Sequence, residues 1–247
     1  MRFRDKVVIV TGAGSGIGRA TALRAAQEGA KVVVADISVQ GGQETEQLIR
    51  QGGGEAIFVK TDVTQIADTE NMVRATTDKY GKQVDILVNC AGVLPYGPIL
   101  ELSEETWDLT IDSNLKGTFL CCKAVLPIMV AQKSGVIVNL SSSGARSYPA
   151  EYPAYVAAKM GVIGLTQSLV KWTQQQHHPI SVVAICPMMV DTPLGRGAFQ
   201  DFQHRAPGPE DRARMLKAED IAGIILNMAD PEMRLASGTI VDTVRPW

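Results

Sequence analysis

The residues best suited to chemistry in this sequence are a tyrosine and a lysine four positions apart, Tyr155 and Lys159. Side chains at this spacing lie on the same face of a helix, so the lysine ammonium is expected beside the tyrosine hydroxyl. A free tyrosine has a pKa of about 10 and exchanges protons poorly at neutral pH, whereas nearby positive charge favours the phenolate. The pair therefore predicts a tyrosine tuned for proton transfer, although the same spacing also occurs by chance on surface helices.

The segment before this pair predicts the element that positions it. Residues 135–140 are apolar and mostly β-branched, and residues 141–144 are three serines and a glycine. Such a pattern is typical of a buried strand that ends in a polar loop. Because the functional groups of open α/β sheets gather at the carboxyl ends of the strands, we expect this loop and Tyr155 to share one site.

A glycine-rich turn near the amino terminus predicts a second part of the same site. The apolar run 6–10 is followed by Thr-Gly-Ala-Gly-Ser-Gly-Ile-Gly at 11–18 and then by a helical pattern over 19–28. Glycines let backbone amides approach a phosphate, and the amino terminus of a helix adds unpaired N–H groups and a positive dipole end. A strand, a glycine turn and a helix in this order predict a dinucleotide site.

An acidic residue at the end of the second predicted strand indicates which dinucleotide is bound. Residues 31–35 form that strand and Asp36 ends it. A carboxylate at this place accepts hydrogen bonds from the adenosine ribose and repels a 2′-phosphate, which favours NAD over NADP. The alternative is that Asp36 serves only as a cap before Ile37 and Ser38.

The remaining pattern predicts an α/β protein. Strands and helices alternate along the chain, which favours a doubly wound parallel sheet, a Rossmann fold, of about seven strands with helices on both faces. We expect one domain over residues 1–247. A helix is expected through Trp107 and Asn114 to about residue 131, and residues 188–217 are predicted to be a long irregular segment that serves as a lid or a binding loop.

Composition excludes several other functions. The 247 residues carry a net charge of −2, which offers no electrostatic basis for binding nucleic acid or an anionic membrane. We find no signal-peptide core and no apolar run of about 20 residues, so a cytoplasmic protein is expected. The four cysteines lack metal-ligand spacing, so no metal is predicted.

Together these motifs resemble the short-chain dehydrogenase/reductase family over nearly the whole chain. The resemblance lies in the order and spacing of the glycine turn 11–18, Asp62, the Asn-Cys-Ala-Gly run 89–92, Asn114, Ser142, Tyr155, Lys159 and the segment 187–192. It implies that Tyr155 is the general acid/base and that Ser142 orients the substrate oxygen. It also implies that Lys159 lowers the tyrosine pKa and holds the nicotinamide ribose, and that Asn114 anchors a proton-relaying water.

The resemblance also implies a set of cofactor contacts with NAD. Besides Tyr155 and Lys159, these are Gly12, Ser15, Gly16, Ile17, Gly18, Asp36, Asp62, Val63, Asn89, Ala91, Gly92, Pro187, Val190 and Thr192. A substrate pocket is expected from Pro95, Tyr96, Arg146, Tyr148, Tyr152, Met188, Met189 and the segment up to residue 217. Arg146 either pairs with a substrate anion or is a solvated loop residue.

Three functions remain open at this level. The leading hypothesis is an NAD-dependent oxidoreductase that interconverts a secondary alcohol and a ketone. A second is a 3-oxoacyl-thioester reductase, which usually prefers NADPH and is therefore disfavoured by Asp36. The third is a dinucleotide-binding regulatory protein without turnover. Family resemblance further implies a homotetramer formed through the helices near residues 107–130 and 155–176.

Overall fold

A computed structural model of the protein describes residues 1–230 and 236–243. Within them, seven strands form one sheet: β1 (Val7–Thr11), β2 (Lys31–Asp36), β3 (Glu55–Lys60), β4 (Ile86–Asn89), β5 (Gly135–Leu140), β6 (Ile180–Cys186) and β7 (Ile240–Asp242). Their order across the sheet is β3-β2-β1-β4-β5-β6-β7, and all pairings are parallel. The predicted Rossmann fold is confirmed. The predicted span of the domain, residues 1–247, includes two stretches that lie outside the described residues.

Helices connect the strands and cover both faces of the sheet. They are α1 (Gly16–Gln27), α2 (Val39–Gln51), α3 (Ile66–Tyr80), α4 (Glu104–Ile111), α5 (Gly117–Gln132), α6 (Gly144–Ser147), α7 (Pro153–Gln175), α8 (Pro193–Gln203), α9 (Pro209–Ala213) and α10 (Ala218–Ala229). A π-helical turn, Asp112–Lys116, joins α4 to α5.

The core lies in two layers because each strand alternates its side chains between the faces. Val8 and Val10 of β1 face a layer that contains residues of α1, α2 and α10, whereas Ile9 of the same strand faces residues of α3, α5 and α7. β1 is buried along its whole length. A sheet covered on both faces explains why its strands read as continuous apolar runs in the sequence.

Two sequence predictions about the connections need correction. The helix expected through Asn114 is interrupted by the π-helical turn, which contains that residue. Residues 188–217 are not irregular, because they contain α8 and α9. Thr192 caps α8 by accepting a hydrogen bond from the Gly195 amide, and Pro193 occupies its first position, where a proline costs no hydrogen bond.

One apolar stretch matches the length of a membrane span. Among the described residues, Glu104–Gln132 is long and apolar enough to cross a membrane, with a mean hydropathy of 1.3. Of that window, 44% is buried inside the protein. The stretch includes α5, whose residues Val125 and Met129 belong to a buried core layer. A core helix of a folded domain can be as long and as apolar as a membrane span.

Candidate active site

A cavity of about 610 Å³ opens where β1, β2, β4, β5 and β6 end. All but one of the catalytic and cofactor-binding residues predicted from the sequence line it. They are Gly12, Ser15, Gly16, Ile17, Gly18, Asp36, Asp62, Val63, Ala91, Gly92, Asn114, Ser142, Tyr155, Lys159, Pro187, Val190 and Thr192. Parallel pairing brings these residues together, because every strand ends at the same edge of the sheet.

Asn89 is the residue that does not line the cavity. It lies in β4, where its side-chain amide donates a hydrogen bond of 2.9 Å to the Oδ1 atom of Asn139 in β5. The Asn139 amide in turn donates to the Thr166 hydroxyl on α7 at 3.0 Å. The Asn89 side chain therefore ties the sheet to a covering helix.

The structure brings the proposed proton-transfer pair to the cavity wall on the first turns of α7. The Lys159 side chain is buried, and its Nζ atom donates a hydrogen bond of 2.9 Å to the Leu140 carbonyl at the end of β5. The same Nζ atom lies 5.6 Å from the centroid of the Tyr155 ring. The lysine is thus fixed between the strand end and the tyrosine.

Burial shifts the proton affinities of both groups. It raises the pKa of Tyr155, and a hydrogen bond with Ser142 acts in the opposite direction. It lowers the pKa of Lys159 to about 8, because the cleft wall disfavours the ammonium. The lysine by itself therefore does not produce the lowered tyrosine pKa that the sequence predicts.

Ser142 lies beside Tyr155 in the turn after β5. Its hydroxyl oxygen accepts a hydrogen bond of 3.0 Å from the Gly144 amide. A Cβ atom on Gly144 would lie 3.2 Å from the Ser142 Oγ atom and 3.7 Å from the Tyr155 ring. The serine is thus held next to the tyrosine by its own turn. Of the three serines, Ser142 is the one whose side chain acts to lower the pKa of Tyr155.

Asn114 reaches the same place from the π-helical turn. Its amide donates hydrogen bonds to the carbonyls of Val93 at 2.8 Å and Thr110 at 2.9 Å. Its Oδ1 atom is buried and has no partner within the described residues. A Cβ atom on Gly92 would lie 2.3 Å from that Oδ1 atom and 3.6 Å from Lys159 Nζ. The asparagine oxygen and the lysine ammonium therefore face one small space beside Gly92.

The glycine turn before α1 fits a dinucleotide. Gly12 has a positive φ of 62°, and a Cβ atom there would lie 2.8 Å from the Ala91 Cα atom. A Cβ atom on Gly18 would lie 2.1 Å from the Gly12 carbonyl oxygen. Ser15 makes no side-chain hydrogen bond to the first turn of α1, which leaves the amides at this helix end available to a phosphate. The backbone geometry thus requires glycine at positions 12 and 18.

Two carboxylates occupy the opposite end of the cavity. The Asp36 Oδ2 atom accepts a hydrogen bond of 2.7 Å from the Gly14 amide, and its Oδ1 atom accepts one of 2.8 Å from the Ser38 amide. Asp36 therefore fixes the glycine turn and keeps its charge at the cavity edge. Asp62, after β3, accepts hydrogen bonds from the Thr64 amide and hydroxyl at 2.9 and 2.7 Å.

The substrate end of the cavity differs in part from the sequence prediction. Tyr152, Met188 and Met189 line it, whereas Pro95, Tyr96, Arg146 and Tyr148 do not. The Nη1 atom of Arg146 lies 3.3 Å from the Asp242 carboxylate, so Arg146 already has an internal partner for its charge.

The sequence analysis placed the segment up to residue 217 at the substrate pocket but did not identify the residues of it that form one cavity wall. Leu194, Ala198 and Phe202 line it from α8. Their spacing of four residues, after a Thr-Pro helix start, is the signal that would have identified them. No group of three or more His, Cys, Asp or Glu side chains in residues 1–230 and 236–243 could hold a metal ion.

A parallel sheet with a glycine turn at its centre and a Ser-Tyr-Lys group at its edge defines a dinucleotide-dependent oxidoreductase. The family model for short chain dehydrogenases matches residues 6–202. This protein belongs to the short-chain dehydrogenase/reductase family.

Individual relatives extend this likeness over the full chain. An uncharacterized oxidoreductase of Listeria monocytogenes is 42% identical, with 100% of both chains covered. A 3-oxoacyl-(acyl-carrier-protein) reductase of Thermotoga maritima is 35% identical over 98% of this chain and 97% of the relative. The crystal structure of levodione reductase superposes with a TM-score of 0.90 at 31% identity, over 98% of this chain and 96% of the other.

Lys159 offers a test of the electrostatics of the site. Burial lowers its pKa to about 8 in the folded chain, whereas an unfolded lysine titrates near 10.4. Between these two pKa values the unfolded chain keeps the lysine proton and the folded chain has lost it. Raising the pH through this range therefore increases the free energy of unfolding, because the folded state no longer carries a buried charge. Relative to Lys159→Met, we expect the unfolding free energy of the wild type to rise by about 2–3 kcal/mol from pH 7 to pH 10.

Urea unfolding of both proteins at a series of pH values measures this difference. Lys171→Met, which removes an exposed lysine from the same helix, is the matched control. A constant difference between wild type and Lys159→Met over this pH range would contradict the lowered pKa.

Proposed function

We propose that this protein is an NAD-dependent oxidoreductase that interconverts a secondary alcohol and a ketone. The observation that carries the proposal is the convergence of Ser142, Tyr155 and Lys159 on the wall of one cavity that has Asp36 at its other end. The bound nicotinamide supplies or accepts the hydride, and the protein supplies position and electrostatics. The levodione reductase likeness supports a carbonyl or alcohol substrate.

Tyr155 transfers the proton that accompanies the hydride. As a ketone is reduced, its oxygen gains negative charge, and the Tyr155 hydroxyl donates a proton to that oxygen; the reverse reaction returns it. Ser142, whose side chain acts to lower the pKa of the tyrosine, orients the same oxygen. Lys159 would hold the nicotinamide ribose when the cofactor is bound, and its ammonium stabilises the phenolate that remains after proton donation.

Asn114 completes the proposed route for this proton. Its unpartnered Oδ1 atom and the Lys159 Nζ atom flank the same space at Gly92. A buried polar oxygen without a partner is costly, and a bound water that bridges it to the lysine removes that cost. We therefore assign Asn114 the role of anchoring a water through which Lys159 exchanges protons with solvent.

The preference for NAD rests on Asp36. Its carboxylate is partly exposed at the cavity edge and accepts a hydrogen bond from the Gly14 amide, which holds its charge beside the glycine turn. A 2′-phosphate at this place would meet a like charge, whereas ribose hydroxyls find an acceptor.

A 3-oxoacyl-thioester reductase is the second candidate, because the Thermotoga maritima relative carries that name. Asp36 disfavours it through the cofactor. The regulatory alternative is disfavoured by the complete set of Asn114, Ser142, Tyr155 and Lys159.

We further propose a cytoplasmic homotetramer assembled through α4–α5 and α7. Large apolar side chains are exposed on these helices: Trp107, Phe119, Met160 and Trp172 are 38–44% exposed. Burial of such side chains against a second copy would remove apolar surface from water.

Replacing the tyrosine tests the proposed reaction. Tyr155→Phe removes the hydroxyl and retains the ring, so we expect turnover of a ketone with NADH to fall by at least about 100-fold, the usual contribution of a general acid. Affinity for NADH, measured by fluorescence titration, stays within about twofold because the ribose ligand Lys159 remains in place.

Tyr148→Phe is the control, since Tyr148 is exposed and does not line the cavity. Substantial activity in Tyr155→Phe would remove this residue from the mechanism.

Replacing the aspartate tests the choice of dinucleotide. Asp36→Ala removes the ribose acceptor and the charge that repels a 2′-phosphate, so we expect the ratio of NADPH to NADH dissociation constants to fall by about tenfold or more. The ratio is the informative quantity, because loss of the hydrogen bond to Gly14 would loosen the glycine turn and weaken the binding of both dinucleotides equally. An unchanged ratio would show that another residue sets the preference.

A further inference from the structure

The substrate end of the cavity is apolar, and none of the described residues that line it offers a free cation. Leu94, Pro149, Met188, Leu194, Ala198 and Phe202 line it. Among the described lining residues the cationic side chain is Lys159, which is buried and bonded to the Leu140 carbonyl. Arg146, the nearby candidate for an anion partner, pairs with Asp242. Such a pocket favours an uncharged, largely apolar substrate.

Tyr152 connects this pocket to the helix that carries the catalytic tyrosine. It is the residue before α7, three positions before Tyr155, and only 2% of it is exposed. Its hydroxyl donates a hydrogen bond of 2.9 Å to the Asp201 carboxylate on α8. Its ring packs edge-on against Phe202 of α8, with 5.3 Å between ring centroids. A single side chain thus joins α8 to the start of α7 by both polar and apolar contacts.

The segment that contains α8 is also fixed at its base. Val190 and Leu216 form a parallel bridge, in which the Asp191 amide donates to the Leu216 carbonyl at 2.8 Å. The Asp191 carboxylate pairs with Arg196 at 2.6 Å and with Arg212 at 3.0 Å. The two ends of the segment are thereby held together independently of Tyr152. The hydrogen bond from Tyr152 is made to the other part of the segment, the helix α8 that lines the pocket.

We propose that Tyr152 is a positioning residue, which holds α8 over the substrate end of the cavity through Asp201 and so encloses an uncharged, apolar ketone or alcohol. Without the bond, Leu194, Ala198 and Phe202 lose their fixed distance from Tyr155, and the substrate loses apolar contact. The consequence is weaker substrate binding rather than a slower proton transfer. The part of this proposal that concerns substrate rests on the proposed function; the part that concerns α8 does not.

Hydrogen–deuterium exchange tests the contact without any substrate. A partly buried hydrogen bond to a charged group contributes enough that its loss should speed exchange of the α8 amides by about 10- to 100-fold. We expect this increase in Tyr152→Phe and also in Asp201→Ala, which removes the same bond from the α8 side. Because both remove one interaction, the double variant should exchange no faster than the faster single variant.

Tyr96→Phe is the matched control. The Tyr96 ring contacts the Tyr152 ring edge-on at 5.9 Å, but its hydroxyl makes no hydrogen bond within residues 1–230 and 236–243. We expect its α8 exchange to equal that of the wild type. Unchanged exchange in Tyr152→Phe, or an equal increase in Tyr96→Phe, would overturn the proposed contact.

Steady-state kinetics test the positioning role. With a cyclic ketone and saturating NADH, we expect Tyr152→Phe to raise KM by about tenfold and to change kcat by less than about twofold, while NADH affinity is unchanged. A loss confined to kcat, or an unaltered KM with faster α8 exchange, would refute positioning. A wild type that reduces no ketone would contradict the proposed function, whereas the exchange comparison would still decide whether Tyr152 holds α8.

Discussion

The parallel register of the sheet is the constraint on which the rest of this structure depends. Thr11 at the end of β1 pairs with Ala35 of β2 on one side and with Asn89 of β4 on the other. Asn89 in turn pairs with Asn139 of β5. The loops that follow these strands therefore begin at one level, which places a glycine turn, an acidic residue and a serine turn around one cavity. An antiparallel strand in the centre would have sent its loop to the opposite edge.

This arrangement has an energetic cost that the core offsets. Lys159 is a buried cation, and Asn114 has a buried oxygen without a partner in the described part of the chain. Both features destabilise a fold in the absence of a ligand. They are tolerated because two continuous apolar layers flank the sheet on either side. The buried polar groups of the site therefore retain hydrogen-bonding capacity that a ligand or a bound water can use.

The sequence alone predicts those features of the fold and site that depend on patterns of neighbouring residues. The strand, glycine turn and helix at the amino terminus were predicted, because steric limits at Gly12 and Gly18 make that pattern specific. The helical placement of Tyr155 and Lys159 followed from their spacing. The alternation of side chains along a strand also predicts that Asn89 faces the core. Leu87, two residues earlier on β4, faces the core layer formed by α3, α5 and α7, and Asn89 points to the same side of the sheet.

Other features depend on contacts between distant segments. Asn114, which lies in the π-helical turn, donates a side-chain hydrogen bond to the Val93 carbonyl, 21 positions earlier, and no local pattern encodes that contact. α8 is difficult to predict because glycines and prolines, which are unfavourable in helices, are frequent in residues 188–217. Its capping residue Thr192 is nevertheless a local signal of a helix start. The bond between Tyr152 and Asp201 joins residues 49 positions apart and could be found only in the structure. Substrate identity depends on contacts of this kind.

The most direct test of the central claim is a fluorescence titration of the wild-type protein with NADH and NADPH, followed by turnover of a panel of ketones and secondary alcohols. We predict tighter binding of NADH than of NADPH, together with NADH-dependent reduction of at least one uncharged ketone. Failure to bind either dinucleotide would contradict the assignment of the cavity. Tight binding with no turnover across a broad panel would contradict the assignment of Tyr155 as an acid/base in a working enzyme.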